Sequence, residues 1–321
     1  MDVETEGGRE MKKMMGVNTP VVTPMHPDQS VDYAGLERLC GFLIEKGVHG
    51  LYPNGSAGEM GLLTADERKK VLERCVKAAA GRVSVYAMVG AITTAETIEL
   101  ARHAEACGAD GVGVVTPWYF RLDADELAAH FLAVAKSVSP DFPVYLYGIP
   151  QYAVNDITPA LASRVADGAE NVVGIKYSYP DLKRMIQFMD LRGGRFSLIA
   201  GADELFYPAL ACGGEGTISG NSNLIPEHFV AIYGAFLAGN HELAKALQRK
   251  TNLLCERISG CNNIARYKDG LVRRGVIDCA AVRGPLRMLT DDERAKFHAD
   301  LDRLAYLDST SLYTNPKYYF V

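Results

Sequence analysis

From Gly16 onward the chain alternates, eight times, between a short run of branched apolar residues and an amphipathic stretch of helical period. The apolar runs are 17–23, 48–52, 83–89, 111–115, 144–147, 172–178, 196–200 and 216–219. Apolar runs with little alternation read as strands buried on both faces, the pattern of a parallel sheet. Helix starts follow them: Asp32, Thr64 with Glu67 at capping-box spacing, Asp123, Thr158 before Pro159, and Asp181. Parallel neighbours need right-handed crossovers. Eight such units in ~220 residues fit a closed (β/α)8 TIM barrel better than an open doubly wound sheet. No G-x-G-x-x-G follows the first run, which weighs against dinucleotide binding.

After Gly239 the strand signals stop, and 241–258, 262–274 and 291–304 read as helices. The expected organisation is a barrel domain over 16–240 and a C-terminal helical region over 241–321. Residues 1–15 are charged and without period and read as a disordered tail. The stretch 308–321, rich in Tyr and Ser, carries no assignable pattern.

A net charge of −5, with no concentrated basic patch, argues against nucleic acid or an anionic membrane as partner. There is no signal-peptide pattern and no apolar run long enough to span a bilayer. The seven cysteines (Cys40, Cys75, Cys107, Cys212, Cys255, Cys261, Cys279) are odd in number, scattered and never in a C-x-x-C pair. They read as free, mostly buried thiols of a reducing compartment, which makes the expected location cytoplasmic. The seven histidines show no H-x-H or H-E-x-x-H spacing, so no metal site is expected. A G-x-S-x-G nucleophile elbow is absent.

In a β/α barrel the chemistry is built at the C-terminal ends of the strands. Those ends here offer Thr23, Ser56 with the 55–59 loop, Tyr119, Tyr147, Lys176, Asp203 with Glu204, and Ser219 with Asn221. A lone strand lysine usually snorkels into water. Buried beside a partner, Lys176 is instead a candidate Schiff-base nucleophile toward a carbonyl. Tyr147 ends the preceding strand, so the two are neighbours in a barrel, and its phenol can pass protons. The loop Gly55-Ser56-Ala57-Gly58-Glu59 can turn backbone N–H groups toward a small anion, with Ser56 adding a hydroxyl donor. Asp203 and Glu204 stand at the seventh strand end, where many barrels bind phosphate. Two carboxylates repel phosphate and suit an unphosphorylated, hydroxyl-rich substrate; Asp203 is also expected to cap the following helix.

Several motifs now stand in order: Thr23-Pro24, the 55–59 loop, Val115-Thr116-Pro117-Trp118-Tyr119, Tyr145-Leu146-Tyr147-Gly148-Ile149-Pro150, Gly174-Ile175-Lys176 and Gly213-Gly214-Glu215-Gly216-Thr217-Ile218-Ser219. Jointly they resemble the dihydrodipicolinate synthase / N-acetylneuraminate lyase superfamily of class I pyruvate-dependent aldolases, over nearly the whole chain after Gly16. The resemblance implies that Lys176 forms a Schiff base with pyruvate or another 2-oxo acid and that Tyr147 relays protons. It implies that Ser56 joins the relay and, with the Ser56 and Ala57 N–H groups, holds the substrate carboxylate. Tyr119 would complete the relay across a subunit interface, and Ile218 would line the pyruvate pocket. A homotetramer built as a dimer of dimers is implied, with no cofactor beyond the covalent imine.

Two positions depart from the family pattern. Tyr152 stands where synthases carry an arginine for the carboxylate of aspartate semialdehyde, and Ala57 stands where many members have threonine. Conversely, Gly201-Ala202-Asp203-Glu204 resembles the G-x-D-E motif with which neuraminate lyases hold sugar hydroxyls, and Tyr177-Ser178 is closer to the lyases. Gly201, Asp203, Glu204, Ser178 and Tyr152 are therefore the implied substrate contacts beyond pyruvate. The expectation is an aldolase or lyase acting on a 2-oxo sugar acid. A dihydrodipicolinate synthase with a different carboxylate clamp, a related dehydratase, and a barrel that binds a 2-oxo acid without turnover are the alternatives. The intact set Lys176, Tyr147 and Ser56 argues against the last.

Overall fold

The structure is a computed structural model and describes residues 12–259 and 263–307. Eight strands pair in parallel and in chain order: β1 (Gly16–Thr19), β2 (Gly50–Leu51), β3 (Ser84–Met88), β4 (Gly111–Val115), β5 (Val144–Gly148), β6 (Val172–Tyr177), β7 (Ser197–Ala200) and β8 (Gly216–Ile218). β8 returns to β1 through the pairs Gly16 with Gly216 and Asn18 with Ile218, which closes the barrel. Helices α1 (Tyr33–Glu45), α2 (Ala65–Ala79), α3 (Thr94–Ala106), α4 (Ala124–Ala135), α5 (Pro159–Gly168), α6 (Leu182–Met189), the short α7 (Leu191–Gly194), α8 (Phe206–Ala211) and α9 (Pro226–Leu237) connect or follow the strands. α10 (His241–Ile258), α11 (Asn263–Arg273) and α12 (Asp291–Arg303) form the C-terminal appendage. This is the (β/α)8 barrel expected from the alternation.

The helix starts are set by the residues that signalled them. Asp32 accepts from the Gly35 N–H, Thr64 and Glu67 form a reciprocal capping box, and Asp123, Thr158 and Asp181 each cap their helix. Each cap satisfies backbone donors that the first helical turn leaves orphaned. Six strands are shorter than their apolar runs, and β1 and β2 fall furthest short. β1 stops at Thr19 because Pro20 has no N–H to give. Beyond it the Val22 N–H donates to Asn223 Oδ1 at 3.1 Å, and Asn223 Nδ2 donates to the Pro20 carbonyl at 3.0 Å. Side-chain amides there replace the ladder.

Two apolar layers result. One lies between the strands and the surrounding helices, and it includes Leu247, Leu254 and Ile258 of α10 and Leu271 of α11, so barrel and appendage share it. The other fills the barrel itself with Tyr52, Tyr86, Met88, Tyr145, Tyr147, Ile199 and Ile218, and ends in Met14. Residues 12–15 therefore correct the expected tail. Met14 is buried, its N–H donates to the Tyr145 hydroxyl at 2.9 Å, and the Tyr86 hydroxyl donates to the Lys12 carbonyl. The physical reason is the floor of the barrel, where two phenols need partners and the space between them needs an apolar side chain. Residues 1–11 and 308–321 of the expected tail and C-terminal region, and Cys261, lie outside the described residues. The other six cysteines are free; Cys40, Cys75 and Cys255 are buried, Cys107 and Cys279 half-buried, and Cys212 exposed. No helix among the described residues is long and apolar enough to cross a membrane.

Candidate active site

The register of β5 on β6 sets Tyr147 directly beside Lys176. Lys176 is only 4% exposed. Its ammonium does not reach water by snorkelling; Nζ lies 3.8 Å from the centroid of the Tyr147 ring and 5.1 Å from that of Tyr52. Two aromatic faces thus take the place of a carboxylate partner for the buried cation. The Tyr147 hydroxyl sits 3.4 Å from Ser56 Oγ. Burial pushes the Tyr147 phenol up, and this is the largest single influence on it. The Lys176 charge, together with the hydrogen bond to Ser56, outweighs burial and brings it below the usual phenol range. A phenol lowered by its neighbouring ammonium is poised to exchange protons with it.

The 55–59 loop forms the wall opposite. Gly58 N–H donates to the Gly55 carbonyl at 3.0 Å and Glu59 N–H to the Ser56 carbonyl at 3.1 Å. This winding uses the carbonyls and leaves the Ser56 and Ala57 N–H groups without a protein acceptor among the described residues. Both residues line a cavity of 400 Å³ with Lys176, Tyr147 and Ile218. Unclaimed N–H groups at the edge of a cavity holding one buried cation make a seat for a small carboxylate.

The cavity shares Gln151, Ser178, Gly201, Asp203 and Ser259 with a second space of 460 Å³ that also touches Glu204, Asn252, Cys255 and Glu256. Gly201 is required on this shared wall, because a Cβ there would collide with the Ser178 side chain. Asp203 departs from its expected role as a cap. It is the first residue of a 3-10 turn, with Ala202 in the capping position, and no side chain caps that turn. Its carboxylate instead accepts from Asn221 Nδ2 at 2.5 Å. Burial pushes its pKa up, partly offset by the hydrogen bond from Asn221. A side-chain partner from the turn after the neighbouring strand takes the place of the local backbone donors.

The remaining expected residues are placed as follows. Ser178 lines both spaces, and its carbonyl accepts from Gln151 Nε2 at 2.5 Å. Glu204 is exposed and reaches only the outer space. Tyr152 touches the inner cavity but is 73% exposed at its rim. Tyr119 is not brought to this chain's own cavity: it is 78% exposed, has a left-handed φ of 81°, and packs edge-to-face on Phe120. Residues that sequence reasoning missed include Gln151, Ser259 and Tyr267 of the inner cavity wall, Asn252 and Glu256 of the outer one, and Tyr52, which lies in the barrel interior and turns its ring to the Lys176 ammonium. Tyr52 was findable, since it ends the second apolar run as Tyr147 ends the fifth. The C-terminal residues carry no local motif.

The dihydrodipicolinate synthetase family model matches residues 13–304. The chain belongs to that family. A dihydrodipicolinate synthetase family member of Halobacterium salinarum, called an uncharacterized DapA-like lyase, is 37% identical over 292 residues, covering 91% of this chain and 94% of its own. A 4-hydroxy-tetrahydrodipicolinate synthase of Acidiphilium cryptum is 37% identical over 289 residues, 89% of this chain and 97% of its own. Among solved structures, the Escherichia coli K12 prophage protein YagE in complex with pyruvate superposes with a TM-score of 0.87 at 30% identity, covering 91% of this chain and 99% of that one. A catalytic-lysine mutant of a Ruminococcus gnavus sialic acid aldolase gives 0.86 at 28% identity, covering 91% and 95%. Family members are class I lyases and aldolases that work through a lysine Schiff base, and this chain is an enzyme of that class.

Proposed function

We propose that the chain interconverts a 4-hydroxy-2-oxo acid with pyruvate and an aldehyde, and that the aldehyde half is an unphosphorylated, hydroxyl-rich chain, so that the substrate is a 2-oxo sugar acid. The observation that carries the second half is the distribution of charge. Lys176 is the only lysine or arginine among the described residues lining either space, whereas Asp203, Glu204 and Glu256 bring three carboxylates to the outer region. A second anionic group on the substrate, whether phosphate or the carboxylate of aspartate semialdehyde, would find no cation there and would meet like charge. Hydroxyls would find acceptors in the carboxylates and two-way partners in Asn221, Asn252 and Ser259.

Lys176 attacks the C2 carbonyl, and the carbinolamine loses water to give a protonated imine. Tyr147 delivers and removes the protons of that step. In the cleavage direction the proton of the C4 hydroxyl passes to Tyr147, with Ser56 within reach as relay. The C3–C4 bond breaks, its electron pair moves into the iminium, and the aldehyde leaves. The resulting enamine takes a proton at C3, and hydrolysis frees pyruvate and Lys176. The Ser56 and Ala57 N–H groups hold the carboxylate and Ile218 packs on the pyruvate. This chemistry calls on no metal or cofactor, because the iminium is the electron sink.

Tyr119 has a place in this scheme if its aromatic rim inserts into a second copy, and a homotetramer made of such pairs is the proposed assembly. The buried free thiols suit a reducing compartment, and the cytoplasm is the proposed location. Incubation with pyruvate and borohydride, followed by peptide mapping, tests the first half: an adduct on Lys176 is expected, and none there defeats the reading. Turnover of 2-oxo sugar acids against turnover with aspartate semialdehyde tests the second. Preference for the semialdehyde would make the chain a synthase.

A further inference from the structure

The loop that offers the Ser56 and Ala57 N–H groups ends in a residue the mechanism does not use. Glu59 adopts a left-handed backbone, φ 62° and ψ 35°, which is uncommon for a residue with a side chain. Its carboxylate does not line the cavity. It forms an ion pair with Lys268 of α11 in which both side chains are 0% exposed. The second carboxylate oxygen accepts from the Arg283 N–H at 2.8 Å, and Lys268 Nζ also donates to the Ala281 carbonyl at 2.7 Å. From the other side, the Thr23 hydroxyl donates to the Gly58 carbonyl at 2.8 Å. The loop is therefore held between β1's extension and the C-terminal region, across more than 200 residues of sequence.

A fully buried ion pair is a poor source of stability, because desolvating two charges offsets most of their attraction. What such a pair does well is hold one geometry. Here that geometry includes a left-handed residue three positions after Ser56. Lys268 also follows Tyr267, which lines the cavity, so one turn of α11 touches the substrate space and the loop's Glu59 side chain together. We propose that Glu59 and Lys268 are positioning residues, and that their ion pair sets the Ser56 and Ala57 N–H groups at the spacing a 2-oxo acid carboxylate requires. This rests on the Schiff-base reading given above.

The test uses the full chain with pyruvate as probe and reads two quantities: the pyruvate concentration for half-maximal borohydride trapping, and the maximal extent of adduct on Lys176. Single loss of Lys268 strands a buried carboxylate and risks unfolding. The informative variant is Glu59→Gln with Lys268→Met, which removes both charges at nearly constant volume and keeps an acceptor for the Arg283 N–H. The double variant is expected to melt within a few degrees of the wild type, to label fully at saturating pyruvate, and to need about tenfold more pyruvate, as one weakened charge-assisted bond implies. An unchanged half-saturation, a reduced maximum alone, or a double variant that does not fold overturns the proposal, the last by making the pair structural. A wild type that traps no pyruvate removes the underlying reading and this inference with it. A wild type that traps, with a double variant indistinguishable from it, removes the inference alone.

Discussion

Replacing Tyr147 by phenylalanine isolates its hydroxyl from everything else the ring does. The ring carries the face on which Lys176 Nζ rests at 3.8 Å, and phenylalanine keeps it. The hydroxyl makes a long contact to Ser56, 3.4 Å, so its loss costs stability no more than about 1 kcal/mol. Its loss from proton transfer is a different matter. A positioned general acid–base group contributes roughly 10²- to 10⁴-fold, about 3–5 kcal/mol of barrier. The variant is therefore expected to melt near the wild type, still to be trapped on Lys176 after long incubation with pyruvate, and to lose at least about 10²-fold in kcat. Steady-state turnover of a 2-oxo sugar acid, calorimetry and adduct mapping measure the three separately. The pH dependence supplies an independent check. Lys176 and the Ser56 hydroxyl hold the phenol of the wild type below its usual range against burial. Ionisation of that phenol should end activity on an alkaline limb below that of a free phenol, and in Lys176→Met, burial unopposed by the charge should move the phenol upward in an ultraviolet difference titration. A Tyr147→Phe enzyme within tenfold of wild-type kcat would refute the relay.

Three further outcomes are expected. If Tyr119 serves a neighbouring copy, Tyr119→Phe and Lys176→Ala chains, each nearly inactive alone, should regain activity when mixed and reassembled; no recovery, with mixed oligomers demonstrated by mass, contradicts it. Tyr152→Arg puts a guanidinium at the cavity rim and should raise kcat/KM for aspartate semialdehyde by about tenfold, at the low end for a charged hydrogen bond because the position is 73% exposed; an unchanged ratio of semialdehyde to sugar-acid turnover counts against the charge argument. Burial lowers His130 to about 4 from 6.5, so the unfolded chain takes up a proton first as pH falls. Stability should decline from about pH 6.5 to about pH 4, by at most about 3 kcal/mol from this group, and His130→Gln should flatten melting temperature over that window.

The barrel was legible because parallel strands buried on both faces read as apolar runs, and Lys176 with Tyr147 was legible because consecutive strand ends are neighbours in a closed sheet. What escaped did so for identifiable reasons. The runs through Val21 and Val22 overstate β1, since hydrophobicity reports burial and not which group receives the backbone N–H. Met14 sits in a segment with no period, where a single side chain meets two phenols. Asp203 had local donors within reach, and the choice of Asn221 instead depends on where β8 brings its loop. Tyr267, Asn252 and Glu256 lie on helices whose amphipathic pattern marks a buried face without saying what that face covers.

Tyr145 and Tyr147 show how little of function lies in residue type. Both stand on β5, two residues apart, and both point into the barrel interior. At the floor, Tyr145 accepts from the Met14 N–H and donates to Ser197 Oγ at 3.1 Å, and Ser197 in turn donates to Glu215. Burial drives its phenol far above the usual range, and the Glu215 charge pushes the same way against the two hydrogen bonds. At the mouth, Tyr147 is as deeply buried, yet an ammonium in place of a carboxylate reverses the outcome. Burial alone suffices to keep Tyr145 protonated, and the ammonium beside Tyr147 is what outweighs the same burial there. Both charges come from neighbours outside β5, Lys176 on β6 and Glu215 ahead of β8. The barrel's closure, which brings β8 and the residues before it round to the start of the chain, therefore keeps one tyrosine inert as part of the floor and leaves the other available for proton transfer.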